Sequence, residues 1–275
     1  TRAAYVRAVR QFFHWCAERG IALYDIEPFV IAAYIEEHPG AKATVKQHLA
    51  AVRMLMNYLV ERQVLRSNPA PVVRGPQHVV KKGKTPVLSR EDAKTLIASL
   101  PTDNIVGLRD RALIATMLYS FARIGAVTRM QVRDYYSVGK RSWLRLREKG
   151  GKHHEVPAHH LVQEYLEAYI YGASLDGNPK ALLFQSVDRF RQLTGRVLDR
   201  NKARAMLRRR ARLAGLSQRI TNHSLRATGI TVYLENGGTL EHAQAIAAHE
   251  SPRTTKLYDR TSDALRLDEV EKIYL

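Results

Sequence analysis

The sequence predicts a mainly α, two-domain protein: a small helical N-terminal domain, then a mixed α/β, mostly helical C-terminal domain with a small β-hairpin sheet. Three observations lead there. Apolar residues recur at helical spacing through most of the chain, that periodicity fails in one proline- and lysine-rich stretch, and strict alternation occurs around one glycine pair. A length of 275 residues suits two domains with real cores. The expected division is a helical domain over 1–75, a basic linker over 76–86 and a larger domain over 87–275.

In the first domain, Tyr5, Val9, Phe12 and Cys16 form one amphipathic stripe that stops at Gly20. A second helix is expected from Asp25, tolerating Pro28 in its first turn and ending at His38, Pro39 and Gly40. A third opens at Thr44, with Val45, Leu49, Val52, Leu55 and Leu59 on its buried side. Lys42, Lys46, Arg53 and Arg62 lie on the exposed faces; Lys46 and Arg53 are the candidates there for phosphate contact. Between Asn68 and Pro86, four prolines interrupt the pattern and Lys81, Lys82 and Lys84 surround Gly83. An extended linker of about a dozen residues reaches up to roughly 40 Å, enough for two domains to embrace a duplex.

The second domain opens with Ser89 to Asp92, a capping-box pattern ahead of a helix ending near Pro101. A helix from Leu108 to about Phe121 has a broad buried face and delivers Arg123 to the interior. Trp143 to Glu148 alternates, Gly150 and Gly151 turn, and His153 to Pro157 returns, giving a β-hairpin with Lys149 and Lys152 at its tip. After a helix from about His160 to Tyr171 and an irregular segment comes Asn201 to Leu213, with cations on nearly every face. Lys202, Arg204, Arg208 and Arg209 are its candidate DNA contacts. Asn222 is expected to cap a helix carrying His223 and Arg226. Ser251 and Pro252 start a short helix carrying Tyr258 about two turns on, with His249 in the preceding loop.

The formal net charge of +18 points to a polyanionic partner. The cations are spread through both halves, which favours an extended nucleic-acid track over a membrane-anchoring patch. No apolar run approaches the roughly 18 residues of a membrane span. The amphipathic, arginine-containing start is unlike a signal peptide, and since the first helix opens without lead-in, Thr1 is not expected to be the native start. The single cysteine, Cys16, excludes an intrachain disulfide and suits a reducing cytoplasm.

Arg123, Lys149, His223, Arg226, His249 and Tyr258 each have an ordinary structural reading in isolation. Their order and surroundings resemble the tyrosine recombinase, or phage integrase, family. ARIGAV at Arg123 resembles that family's arginine segment, EKGGKHHEVP its lysine hairpin, HSLR its HxLR box, and AHESPRTTKLY its nucleophile segment. The opening TRAAYVRAVRQFFHWC is similar to the first helix of its helical core-binding, SAM-like domain. Three positions depart. Ala126 replaces an acid that commonly follows the first arginine, so a carboxylate that orients the site must come from elsewhere or be absent. Ala227 stands where a second histidine often follows, and Ala248 replaces a frequent glycine.

The resemblance implies strand transfer on a double-stranded DNA recombination site by four protomers, with no metal or nucleotide cofactor. Tyr258 would attack the scissile phosphate, forming a 3′-phosphotyrosine. Arg123, Arg226 and His249 would stabilise the charge that builds on the nonbridging oxygens. His223 would accept the phenolic proton, and Lys149, favoured over Lys152, would protonate the leaving 5′-oxygen. Arg266 to Leu275 would form a helix docking on a neighbouring protomer. A nicking and resealing enzyme of the type IB topoisomerase kind shares this chemistry. A DNA-binding regulator with a decayed site is the reading from another class.

Overall fold

The computed structural model describes residues 2–77, 83, 85–148 and 151–259. Lys81, Lys82, Lys84, Lys149 and the expected C-terminal helix lie outside the described residues. The chain divides into two compact units, Thr1–Val80 and Lys81–Leu275. No helix among the described residues is long and apolar enough to cross a membrane.

The first unit packs α1 (Arg2–Ala17), α2 (Pro28–Glu37) and α3 (Lys42–Glu61). The apolar spacing puts Phe12, Cys16, Ile31, Tyr34, Leu49, Val52 and Met56 into one core. Tyr34 meets Phe12 edge-on at 5.0 Å and its hydroxyl bonds His48 Nδ1 at 2.8 Å. Arg53 departs from the expectation of a free phosphate contact. Its guanidinium donates to the carbonyls of Ala70 and Val73, holding the segment after α3 against the core. Lys46 remains exposed.

The second unit is built around α5 (Ile105–Tyr119), which is buried on nearly all sides and flanked by α4 (Arg90–Ala98). Ser89 caps α4 by accepting from Asp92 N–H at 2.9 Å, and Asn104 caps α5 by accepting from Gly107 N–H at 2.9 Å. The short α6 (Ile124–Val127) follows. An antiparallel sheet is then formed by β1 (Tyr135–Val138), β2 (Arg141–Arg147) and β3 (His153–Pro157) in the order β1-β2-β3. Leu144, paired with Val156, and Leu146, paired with His154, turn their apolar side chains to the core. The sheet thus has three strands where the alternation identified only two. The segment read as irregular, after α7 (His160–Gly172), also forms a small hairpin of β4 (Gln185–Val187) and β5 (Leu193–Val197).

The next helix, α8 (Arg200–Leu213), is not cationic all round. Ala203, Met206, Leu207 and Ala211 make a buried stripe, and Arg210 turns inward. Asp110, fully buried on α5, receives Arg210 Nη2 at 2.7 Å and Arg109 Nη2 at 2.6 Å. Two guanidiniums therefore converge on one carboxylate, and removing it leaves buried charge uncompensated. Asp110→Asn is expected to lower unfolding free energy by about 3–5 kcal/mol in urea titration. Lys202, Arg204, Arg208 and Arg209 stay exposed.

The remaining helices are α9 (Asn222–Glu235), α10 (Leu240–Ile246) and α11 (Pro252–Lys256). A Cβ on Gly229 of α9 would stand 2.0 Å from Leu118 O, so only glycine permits this approach of α9 to α5.

Candidate active site

Five of the six predicted catalytic side chains are described, and all five belong to the second unit. Arg123, His223 and Arg226 line a cleft of about 910 Å³ together with Glu148, Arg200 and Arg204. The local chain explains the placement. Arg123 is the residue before α6, in extended conformation. The α9 cap is Thr221, one residue before the expected Asn222: Ser224 Oγ accepts from Thr221 N–H at 3.0 Å in a capping box. Asn222 instead donates to Arg200 O at 3.1 Å. His223 and Arg226, three apart, share one helical face.

Arg226 is 1% exposed, and its guanidinium is held by main-chain carbonyls. Nη1 donates to Phe121 O, and Nη2 to Ala247 O at 2.6 Å. Phe121 has φ +53°, and Ala248, following the second acceptor, has φ +48°. Ala248 thus sits in the left-handed region, which glycine adopts without a Cβ penalty and alanine does not. Burial, reinforced by the nearby charge of Arg123, pulls the Arg226 pKa down to about 10.

Tyr258 does not lie two turns into a helix. The helix α11 ends at Lys256, and Tyr258 follows in the turn, its N–H donating to Thr255 O at 2.9 Å. Pro252 takes the first helical position, while the Ser251 hydroxyl makes no capping bond. The Tyr258 ring packs among Phe121, Ala227, Ile230 and Ala247, and its carbonyl accepts from Thr231 Oγ1 at 3.1 Å. Its hydroxyl bonds His223 Nε2 at 2.8 Å, and its ring stacks on His249, centroids 5.8 Å apart and planes 5° from parallel. Burial raises the Tyr258 pKa above 10, against the pull of Arg226. Desolvation and the charges of Arg226 and Arg123 lower that of His223. Both shifts favour the neutral forms, a phenol that keeps its proton beside an unprotonated imidazole.

His249 bonds Thr255 Oγ1 through Nδ1 at 2.9 Å, which leaves Nε2 for another partner. Burial, then the charges of Arg226 and Arg123, lower its pKa from 6.5 to about 3. The sign for stability follows from linkage. The unfolded chain takes up a proton below about pH 6.5 that folded His249 refuses, so its contribution is present above 6.5 and is lost as pH falls towards about 3. Urea midpoints of the wild type are expected to fall over that window, with a shallower fall in His249→Asn.

Sequence reasoning missed three contributors. Glu148 Oε2 lies 2.6 Å from Arg123 Nη1, the main-chain carbonyls of Phe121 and Ala247 fix Arg226, and Thr255 holds His249. Glu148 was legible only as the neighbour of Lys149, and the carbonyls leave no side-chain signal. A fourth lies upstream. Gly83 N–H donates to Leu257 O at 3.0 Å, and a Cβ there would stand 2.6 Å from that oxygen. Gly83→Ala is expected to shift the segment carrying Tyr258 and slow DNA cleavage by on the order of 10²-fold, with DNA affinity unchanged in a filter-binding assay.

The phage integrase family matches residues 86–264, and its N-terminal SAM-like domain matches residues 1–63. The chain belongs to the phage integrase family, the tyrosine recombinases. It is 31% identical over 232 residues to tyrosine recombinase XerC of Chlamydia muridarum (strain MoPn / Nigg), covering 82% of this chain and 69% of that one. XerC of Thermodesulfovibrio yellowstonii is 25% identical over 261 residues, covering 94% and 84%. The fold resembles that of XerH site-specific recombinase bound to palindromic difH substrate in a post-cleavage complex, with TM-score 0.73, 18% identity and coverage of 93% and 75%. A lambda integrase tetramer bound to a Holliday junction gives TM-score 0.65 at 18% identity, covering 96% and 73%.

Proposed function

We infer that the protein is a site-specific DNA recombinase that cleaves and rejoins DNA through a covalent 3′-phosphotyrosine. The observation that carries this reading is the Tyr258 hydroxyl, 2.8 Å from His223 Nε2, in a site that also gathers Arg226, Arg123 and His249.

Each group has a task matched to its environment. His223, neutral at working pH, takes the proton from Tyr258 Oη as the oxygen attacks phosphorus. Attack places negative charge on the nonbridging oxygens, where fixed guanidiniums act without the reorganisation that water would need. Arg226 is held rigidly by its carbonyl pair. Arg123 has 39% of its side chain exposed and meets the phosphate from the open side. His249 donates from Nε2. Lys149, following Glu148 in sequence, gives a proton to the leaving 5′-oxygen. The phosphodiester energy stays in the phosphotyrosine, so a 5′-hydroxyl from another strand can reverse the step without ATP.

The exposed cations Lys46, Lys202, Arg204, Arg208 and Arg209 supply phosphate contacts, with Lys81, Lys82 and Lys84 as further candidates. The partner is a duplex recombination site, the active assembly a homotetramer on DNA, and the setting the cytoplasm. Neither the nicking and resealing enzyme nor the non-catalytic regulator is favoured, since the chain's relatives are recombinases. The test is incubation with nicked duplexes tiled across the DNA flanking the encoding gene. A covalent protein–DNA adduct at one defined site is expected; failure to form any adduct contradicts the reading.

A further inference from the structure

One buried carboxylate faces the reacting groups without a role in the steps above. The Glu148 side chain is 4% exposed, and Oε2 lies 2.6 Å from Arg123 Nη1. Its main chain is fixed as well: the N–H donates to Lys152 O at 2.8 Å and the carbonyl accepts from Gly151 N–H at 3.2 Å. Glu148 is therefore pinned before it meets Arg123, and the arginine is the partner whose orientation is decided.

The geometry of Arg123 leaves room for that decision. Its side chain opens into the cleft, and α6 supplies it with no carboxylate, because Ala126 is buried and apolar. A long cationic side chain on a cleft wall loses little by swinging into water unless an acid holds one edge. Glu148 takes that edge and leaves the rest of the fork for a phosphate. Its charge also opposes the repulsion between Arg123 and Arg226, tending to raise the pKa that burial and Arg123 depress.

We propose that Glu148 is the positioning residue that orients Arg123 towards the scissile phosphate, supplying from the end of β2 the carboxylate that Ala126 lacks on α6. The assignment rests on the phosphoryl-transfer reading of the site and deepens it.

The test compares two nicked suicide duplexes carrying the mapped cleavage site, one with an ordinary scissile phosphate and one with a methylphosphonate. The second carries no negative charge for Arg123 to meet. Wild-type adduct formation checks the functional reading by itself, and its absence overturns both. With it present, Glu148→Gln is expected to slow cleavage of the ordinary duplex by on the order of 10²-fold, with unchanged DNA affinity. On the methylphosphonate duplex the defect should shrink to a few-fold, and Glu148→Asp should recover part of the rate on the ordinary one. A wild-type rate in Glu148→Gln, or defects of equal size on both duplexes in both variants, overturns the assignment.

Discussion

Tyr258→Phe is expected to form no covalent adduct on nicked DNA while binding the duplex with wild-type affinity. The substitution removes one oxygen and leaves the ring, which supplies the packing against Phe121, Ala227 and Ile230 and the stack on His249. What disappears is the nucleophile and its bond to His223. Loss of a covalent nucleophile admits no partial substitute, so adduct formation should fall below detection and not merely slow. Gel-resolved adducts alongside filter binding separate the two effects. An adduct in Tyr258→Phe would assign the attack to another residue.

Arg226→Lys is expected to reduce the cleavage rate by roughly 10²- to 10³-fold although the positive charge is kept. Arg226 donates through two separate nitrogens to Phe121 O and Ala247 O, and its planar fork lets it do so while facing the phosphate. An ammonium has no planar fork and a shorter reach, so it cannot meet both carbonyls and the reacting oxygens in one geometry. The loss should lie mostly in the rate of adduct formation at saturating DNA. A variant that cleaves at the wild-type rate would mean that charge alone suffices.

The candidate site residues were legible through the order of the short motifs that hold them, not one by one, and the second unit gathers the five that are described. Partners distant in the chain were not. Nothing near Arg210 in sequence distinguishes it from the outward cations of α8 or shows that Asp110 is its partner. The pairing of Glu148 with Arg123 was hidden in the same way, across 25 residues. The strand β1 is half-exposed along its length, and β4 has three residues, too short for an alternating pattern to register. The end of the nucleophile segment was misjudged for a local reason. Ser251 and Pro252 do mark a helix start, but the helix stops at Lys256, and Tyr258 is placed by packing and by Thr231.

The central claim is that Tyr258 Oη becomes bonded to phosphorus. Proteolysis of the wild-type adduct and mass spectrometry of the nucleotide-linked peptide test it most directly. The expected peptide spans Tyr258 and carries the 3′-phosphate of the cleaved strand; a nucleotide on any other residue, or on the 5′ side of the break, would contradict it.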